Sequence, residues 1–185
     1  MWRVSARWQD VIVPGIVAFV LRPSLPDPPT AADEKTTLVA FLDWYRDCLL
    51  RKVEGLDREA LTRRLVPSAT TLLGIVKHLA YVERGWFQNT FLGQTRYRPP
   101  RSAADDAEFS IEDAETVDSI ITLYRDEVAR SREIVAGAAL DDHARREDRS
   151  DYTLRWIMVH MIEETARHVG HADILREQTD GAAGE

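Results

Sequence analysis

Four long stretches with apolar residues at helical spacing constrain this fold more than any other feature of the sequence. They cover residues 31–53, 70–92, 111–138 and 153–178. In each stretch the apolar side chains recur every three or four residues, which places them along one face of a helix. Helices of this kind bury their apolar faces against one another. The pattern therefore predicts an all-α fold, a four-helix bundle.

The connection between the second and third helices is unusually long. Residues 93–110 contain two prolines and an acidic run, and a connection of this length in a bundle is typical of a crossover or a functional lid. Arg96, Tyr97 and Arg98 lie in it and are candidates for the mouth of a site. Residues of these types are also common on loop surfaces, so the position alone does not decide their role.

Residues 1–25 differ in composition from the rest of the chain. Their apolar run, residues 11–21, contains Pro14 and Gly15 and is too short to span a bilayer. A proline-rich segment follows it instead of the small-residue cleavage site of a secretory signal. We therefore expect an extension without regular structure at residues 1–25, a bundle domain at residues 26–185, and no membrane partner.

Charge and cysteine content exclude several classes of function. The chain has 185 residues, which suggests one domain, and its net charge is -7. An acidic surface argues against nucleic acid as a partner, because phosphate binding needs a basic face. Cys48 is the single cysteine, so an internal disulfide or a multi-cysteine zinc site is excluded. A reducing, cytoplasmic compartment is expected.

The last helix carries four ionisable groups on or beside its apolar stripe. Glu164 and His168 are four residues apart and project from one face; His160 and His171 lie on the same stripe. Burying such groups unpaired costs several kcal/mol, which suggests a chemical role. His160 and His168 cannot share one ion, because eight helical residues rise about 12 Å. The helix thus offers two adjacent ligands, and a third must come from elsewhere.

His78 is a candidate for the third ligand. It lies at the edge of the apolar face of the second helix, where a lone histidine is more often a hydrogen-bonded core residue than a ligand. Together with Glu164 and His168 it would form a set of two histidines and one carboxylate. Such a set suits catalytic zinc, or iron(II) and nickel. The spacing alone is not specific, because a glutamate followed four residues later by a histidine occurs on many helices.

Two sequence motifs add a family resemblance. KHLAYVERGWF in the second helix and TLRWIMVHMIEETARHVGHADILRE in the fourth resemble the DinB/YfiT-like metalloenzyme superfamily, and most closely its branch labelled mini-circle proteins. The resemblance covers about residues 26–185. It implies a four-helix bundle with a divalent metal held by one residue of the second helix and two of the last, here His78, Glu164 and His168. Most members have histidine at the position of Glu164. The glutamate found here is shared with the branch similar to mycothiol-dependent maleylpyruvate isomerase.

The resemblance implies thiol chemistry at a metal ion, zinc in the first place, with nickel or iron as alternatives. The expected function is activation of water or of a low-molecular-weight thiol such as mycothiol, for S-transfer to a small electrophile or for its isomerisation. The sequence identifies no catalytic residue beyond the ligands. It leaves two alternatives open: a non-catalytic metal-binding or stress-related protein, and a bundle without metal. A homodimer is compatible with the sequence. The residues expected to orient the ligands or to contact substrate are His160, Glu163, Arg167 and His171.

Overall fold

The computed structural model describes residues 25–99 and 107–183. In these residues the chain forms five α-helices, with a π-helical segment directly after the third. The α-helices are α1 (Glu34–Val53), α2 (Arg58–Thr62), α3 (Leu72–Glu83), α4 (Val117–Ala136) and α5 (Leu154–Asp180), and the π-helical segment is Arg84–Phe91. The predicted all-α bundle is confirmed: α1 packs along α5, α3 packs along α4, and α3 also contacts α5 and α1.

Three of the helices begin directly after residues that cap them. Asp33, Thr71 and Thr153 each accept a hydrogen bond from a backbone N–H in the first turn of α1, α3 and α5. Such caps satisfy donors that have no partner within the helix. At the other end of α5, Arg176 donates to the carbonyl oxygens of Lys52 and Glu54 and so joins the end of α1 to α5.

Two helices differ from the sequence expectation. The second stretch is α-helical only to Glu83 and continues as the π-helical segment; apolar periodicity does not separate these forms, because both keep a helical run of buried side chains. The third stretch becomes helical six residues later than predicted, at Val117. Thr116 and Ser119 form a capping box there, while the preceding Glu115 uses its carboxylate to bind Lys77. The acidic residues before Thr116 therefore lie outside the helix.

All residues of α3 are buried, and this makes it the central helix. Its charged residues have partners. Lys77 donates to the carbonyl oxygen of Ser110, 2.7 Å away, and Glu83 accepts two hydrogen bonds from Arg46 of α1. A side chain that projects from α3 into the bundle therefore enters an environment largely closed to water.

The predicted extension at residues 1–25 lies, except for its last residue, outside the described residues. Leu25 is half-buried and packs against the core. It lines a surface cavity together with Leu50 and Val53 of α1 and Ile121 of α4. In the described part of the chain, no helix combines the length and the hydropathy needed to cross a membrane.

Candidate metal centre

Two residues of α5 face the bundle at one level. His168 is buried, with 9% exposure, and Glu164 is half-buried one turn before it. Nε2 of His168 lies 3.5 Å from Oε1 of Glu164. This placement follows from the burial of the α5 stripe, since Met161, Thr165 and His168 are all buried. The stripe carries the imidazole and the carboxylate toward α3.

His78 of α3 approaches the same carboxylate from the facing helix. Its Nε2 also lies 3.5 Å from Oε1 of Glu164, and one ligand atom from each of the three residues lies within 4.8 Å of those from the other two. Ligands bound about 2.0–2.1 Å from a tetrahedral ion are roughly 3.3–3.4 Å apart. The two nitrogen-to-oxygen separations are close to that value, so the donor set fits a divalent ion.

The surroundings of the two ring nitrogens of His78 also support the fit to a divalent ion. Nδ1 lies 3.0 Å from Oε2 of Glu108, which favours a proton on Nδ1 and leaves Nε2 with its lone pair. Nε2 is buried, and no described group meets it with hydrogen-bond geometry. A buried imidazole nitrogen without a hydrogen bond costs free energy. A metal ion would remove that cost. In the described part of the chain, Nδ1 of His168 has no hydrogen-bond partner either.

Electrostatics keep Glu164 ionised. Its contacts with His168, and then with His78, lower the pKa of the carboxyl well below its usual range, although burial opposes this shift. For His78, burial lowers the pKa, but Glu108 and Glu164 outweigh burial and raise it. The site therefore presents a carboxylate between two imidazoles, and its negative charge would offset part of the charge of a divalent ion.

Glu108 reaches His78 from the connection between the π-helical segment and α4. Residues 107–111, here named the strap, dock on α3. Lys77 binds the carbonyl oxygen of Ser110, and a Cβ at Gly74 would overlap with the carbonyl oxygen of Phe109, so the strap can approach α3 closely only because Gly74 has no side chain. The Phe109 ring stacks on His78, with centroids 4.2 Å apart.

Arg98 holds Glu108 from the other side. Its Nε and Nη2 donate to the two carboxylate oxygens. Burial would raise the pKa of Glu108, but the hydrogen bonds from His78 and Arg98 prevail and lower it to about 2. Glu108 is 3% exposed. It is thus a buried carboxylate that accepts from a guanidinium and from an imidazole at once.

Of the other residues predicted for the site, Glu163, Arg167 and His171 lie at its rim. Arg167 is exposed and donates to Glu163 and to Oε2 of Glu164, the latter at 3.3 Å. The His171 ring is 5.5 Å from that of His168. His160 lies farther away: it stacks on Trp156, contacts Trp86, and places Nδ1 3.9 Å from Glu163. The contacts of His160 are thus with Glu163 and two tryptophans.

A cavity borders the site through Arg98. Its volume is about 160 Å³, and three of its lining residues are arginines: Arg98, Arg146 and Arg149. Trp86 forms part of the wall and continues into the aromatic contacts with Trp156 and Tyr152. The triad of His78, Glu164 and His168 is therefore connected through Glu108 and Arg98 to a recess with cationic and aromatic walls.

The comparison with known families matches most of the chain. The model of a family described as mycothiol S-transferase matches residues 37–181, which include all three triad residues and the strap. The chain belongs to this family. Membership in the mycothiol S-transferase family confirms the resemblance to the DinB-like, mycothiol-related branch and indicates a thiol-related transferase role. No curated protein matches the chain.

Sequence reasoning missed two of the residues that shape the site in this mycothiol S-transferase family member. Glu108 and Phe109 lie in an irregular connection, where apolar periodicity carries no information. The sequence indicates Arg98 only as a candidate for the mouth of a site, whereas the side chain contacts Glu108 directly. The usable signal was Gly74, a glycine within a helical run: such a glycine often marks the close approach of another backbone.

Proposed function

We propose that this chain is a divalent-metal-dependent S-transferase whose metal is held by His78, Glu164 and His168. The observation that carries the proposal is the convergence of these three side chains, with a buried His78 nitrogen that lacks a hydrogen bond. Two imidazoles and one carboxylate are ligands that zinc accepts, and the same set suits nickel or iron(II). Family membership supports a thiol as one reactant.

The reaction joins a low-molecular-weight thiol such as mycothiol to a small electrophile. A divalent ion bound at the triad would act as a Lewis acid and lower the pKa of the thiol. The thiol loses its proton, a sulfur–carbon bond forms, and the bond from that carbon to its leaving group breaks. The products are a thioether, the leaving anion and the proton. Addition and later elimination of the thiol would instead isomerise a double bond with no net change in atoms.

The protein's own residues give this site its charge and geometry. The lowered pKa of the Glu164 carboxyl keeps it ionised. The hydrogen bond between Nδ1 of His78 and Glu108 orients the ring so that Nε2 faces Glu164. Arg167, Glu163 and His171 lie at the exposed rim, where substrate would enter. The recess beside Arg98 offers a place for part of the thiol or the electrophile. No cysteine of the protein is required, and Cys48 is buried in the core.

Partners and location follow from the same proposal. The partners are small molecules, and reduced low-molecular-weight thiols are a feature of reducing compartments, so we place the protein in the cytoplasm. Size-exclusion chromatography with light scattering would test whether the chain forms a homodimer.

Metal analysis of protein purified without a histidine tag tests the proposal. The wild-type chain should bind one equivalent of zinc after dialysis and titration. His168→Ala should abolish stoichiometric binding and leave the helical circular dichroism spectrum largely unchanged, because the apolar stripe of α5 stays intact. One equivalent of zinc bound by the His168→Ala variant would show that the triad is not the metal site.

The control is His143→Ala. His143 is exposed and its Nδ1 lies 2.9 Å from the carbonyl oxygen of Ser150, away from the triad, so zinc binding should not change. A screen of electrophiles with mycothiol and other small thiols would then follow thioether formation by mass spectrometry. A chain that binds zinc but catalyses no reaction with any thiol would contradict the transferase proposal.

A further inference from the structure

A continuous line of contacts runs from the backbone of Gly85 to the ring of His78. It passes through Arg98 and Glu108, neither of which is part of the proposed triad. Gly85 lies in the π-helical segment, Arg98 in the connection after it, and Glu108 in the strap. Three separate parts of the chain thus meet behind one triad residue.

The first contact in this line depends on the absence of a side chain. A Cβ at Gly85 would overlap with Nη1 of Arg98, so the guanidinium lies directly against the helix backbone. The overlapping atom is the tip of a long, flexible side chain. A methyl group at Gly85 would therefore displace Arg98 and leave the helix in place.

The second contact fixes Glu108. Arg98 donates through Nε and Nη2, one nitrogen to each carboxylate oxygen, and a forked arrangement of this kind restricts rotation more than one hydrogen bond does. The carboxylate is buried, with 3% exposure. A buried carboxylate held by a cation has few alternative positions.

The third contact fixes His78. Oε2 of Glu108 lies 3.0 Å from Nδ1, and the Phe109 ring stacks on the imidazole at an interplanar angle of 15°. The hydrogen bond with Glu108 favours a proton on Nδ1, and the stacking of Phe109 fixes the plane of the ring. An imidazole whose second nitrogen is held in this way binds metal more tightly, and loss of such a partner typically weakens metal binding 10–100-fold.

We propose that Arg98 and Glu108 are positioning residues, and that Gly85 provides the space that lets Arg98 hold Glu108 and, through it, His78. This inference rests on the proposed function, because it assumes a metal at the triad. The inference goes beyond the proposed function because it assigns part of the metal affinity to residues that are not ligands.

Zinc affinity of the full chain, measured by competition with a chromophoric chelator, tests the inference in three variants. Glu108→Ala should weaken zinc binding about 10–100-fold. Glu108→Gln should lose less, because the amide oxygen still accepts from Nδ1. Gly85→Ala should weaken zinc binding without lowering the melting temperature, since alanine favours a helix more than glycine does.

Two matched controls separate positioning from general disturbance. Gly170→Ala makes the same exchange on α5, where an added Cβ meets nothing within 4 Å, and it should leave zinc affinity unchanged. Glu127→Gln alters another buried glutamate, which accepts from Arg84 and Gln88 and not from Arg98 or His78, and should also leave zinc affinity unchanged.

A spectroscopic readout reports on the ring directly. In the zinc-loaded wild type, the Nδ1–H proton of His78 should give an NMR signal protected from exchange with water. The signal should be lost in Glu108→Ala and should exchange faster in Gly85→Ala. If Glu108→Ala and Gly85→Ala bind zinc as tightly as the wild type, the positioning role is wrong while the metal site stands. A wild-type chain that binds no zinc would overturn both proposals.

Discussion

Arg46 and Glu83 form an ion pair that is almost fully removed from water. They are 3% and 1% exposed, and the two N···O distances are 2.8 and 2.6 Å. Arg46 also donates to Asp43 on its own helix. Such a pair adds less stability than its geometry suggests, because both charges have lost their hydration. Removal of Glu83 is costly, since it leaves the buried Arg46 with the half-buried Asp43 as its remaining ion-pair partner among the described residues.

We expect Glu83→Ala to lower the free energy of unfolding by about 3–5 kcal/mol. Denaturant unfolding followed by circular dichroism measures this change. A loss below about 1 kcal/mol would mean that Arg46 finds water or another acceptor, and that the pair behaves like one on the surface.

Two comparisons sharpen the result for Glu83. Replacement of both partners, Arg46→Met with Glu83→Leu, should recover much of the lost stability, because no buried charge remains. Glu133→Ala removes the acceptor of an exposed pair with Arg130, in which the side chains are 50% and 68% exposed. Its effect should stay within about 1 kcal/mol.

At the scale of the helix, α5 carries a buried apolar stripe and ionisable side chains on the same face. Leu154, Ile157, Met161 and Leu175 are at most 3% exposed, which confirms the apolar stripe predicted from the sequence. The same face carries His168 and, half-buried, Glu164. The Glu164 carboxylate is tolerated on this face because His78 of α3 meets it.

Met161→Asp should destabilise the bundle by about 3 kcal/mol or more, because it places a carboxylate where an apolar side chain is fully buried. Thermal and denaturant unfolding give the value. The matched control is Ile174→Asp on the same helix, where the wild-type side chain is 56% exposed and the change should stay near 0.5 kcal/mol. Equal effects of the two substitutions would show that the buried face has been assigned wrongly.

The helices α1, α4 and α5 could be predicted from the sequence because their burial is periodic. The stripe of α5 and the cap at Thr153 follow from residue type and spacing. The start of α4 could not be predicted in this way, because the acidic residues Glu112 and Glu115 would also suit the first turn of a helix. The capping box of Thr116 and Ser119 marks the boundary, and the Glu115 carboxylate just before it binds Lys77 in a tertiary contact that no local pattern records.

The triad residues could be named from the sequence, whereas their surroundings could not. Glu164 and His168 share a helix face, so their proximity is a property of the helix. Glu108 meets His78 only because the strap docks on α3, and this depends on an overlap avoided at Gly74. Contacts set by the path of an irregular connection have no periodic signature, and the line from Gly85 to His78 belongs to this class.

At the scale of the whole molecule, we propose that residues 1–25 contribute little to stability, since their composition breaks sharply from that of the bundle. Two truncated chains test this, one beginning at Leu25, which packs against the core, and one at Pro26. Both should remain soluble and keep the melting temperature of the full chain within a few degrees. A large decrease for both chains would show that the apolar run at residues 11–21 stabilises the bundle.

The strap also has a consequence for the order in which the molecule assembles. His78 and Glu108 are separated by 30 positions along the chain, whereas the contact between Glu34 of α1 and Arg155 of α5 spans 121. Short loops close at a lower entropic cost than long ones. We therefore expect the loop that brings Glu108 to His78 to close more readily than the one that joins α1 to α5, so that the imidazole of α3 is oriented before α5 docks. The last helix would then bring Glu164 and His168 to a partner already in place.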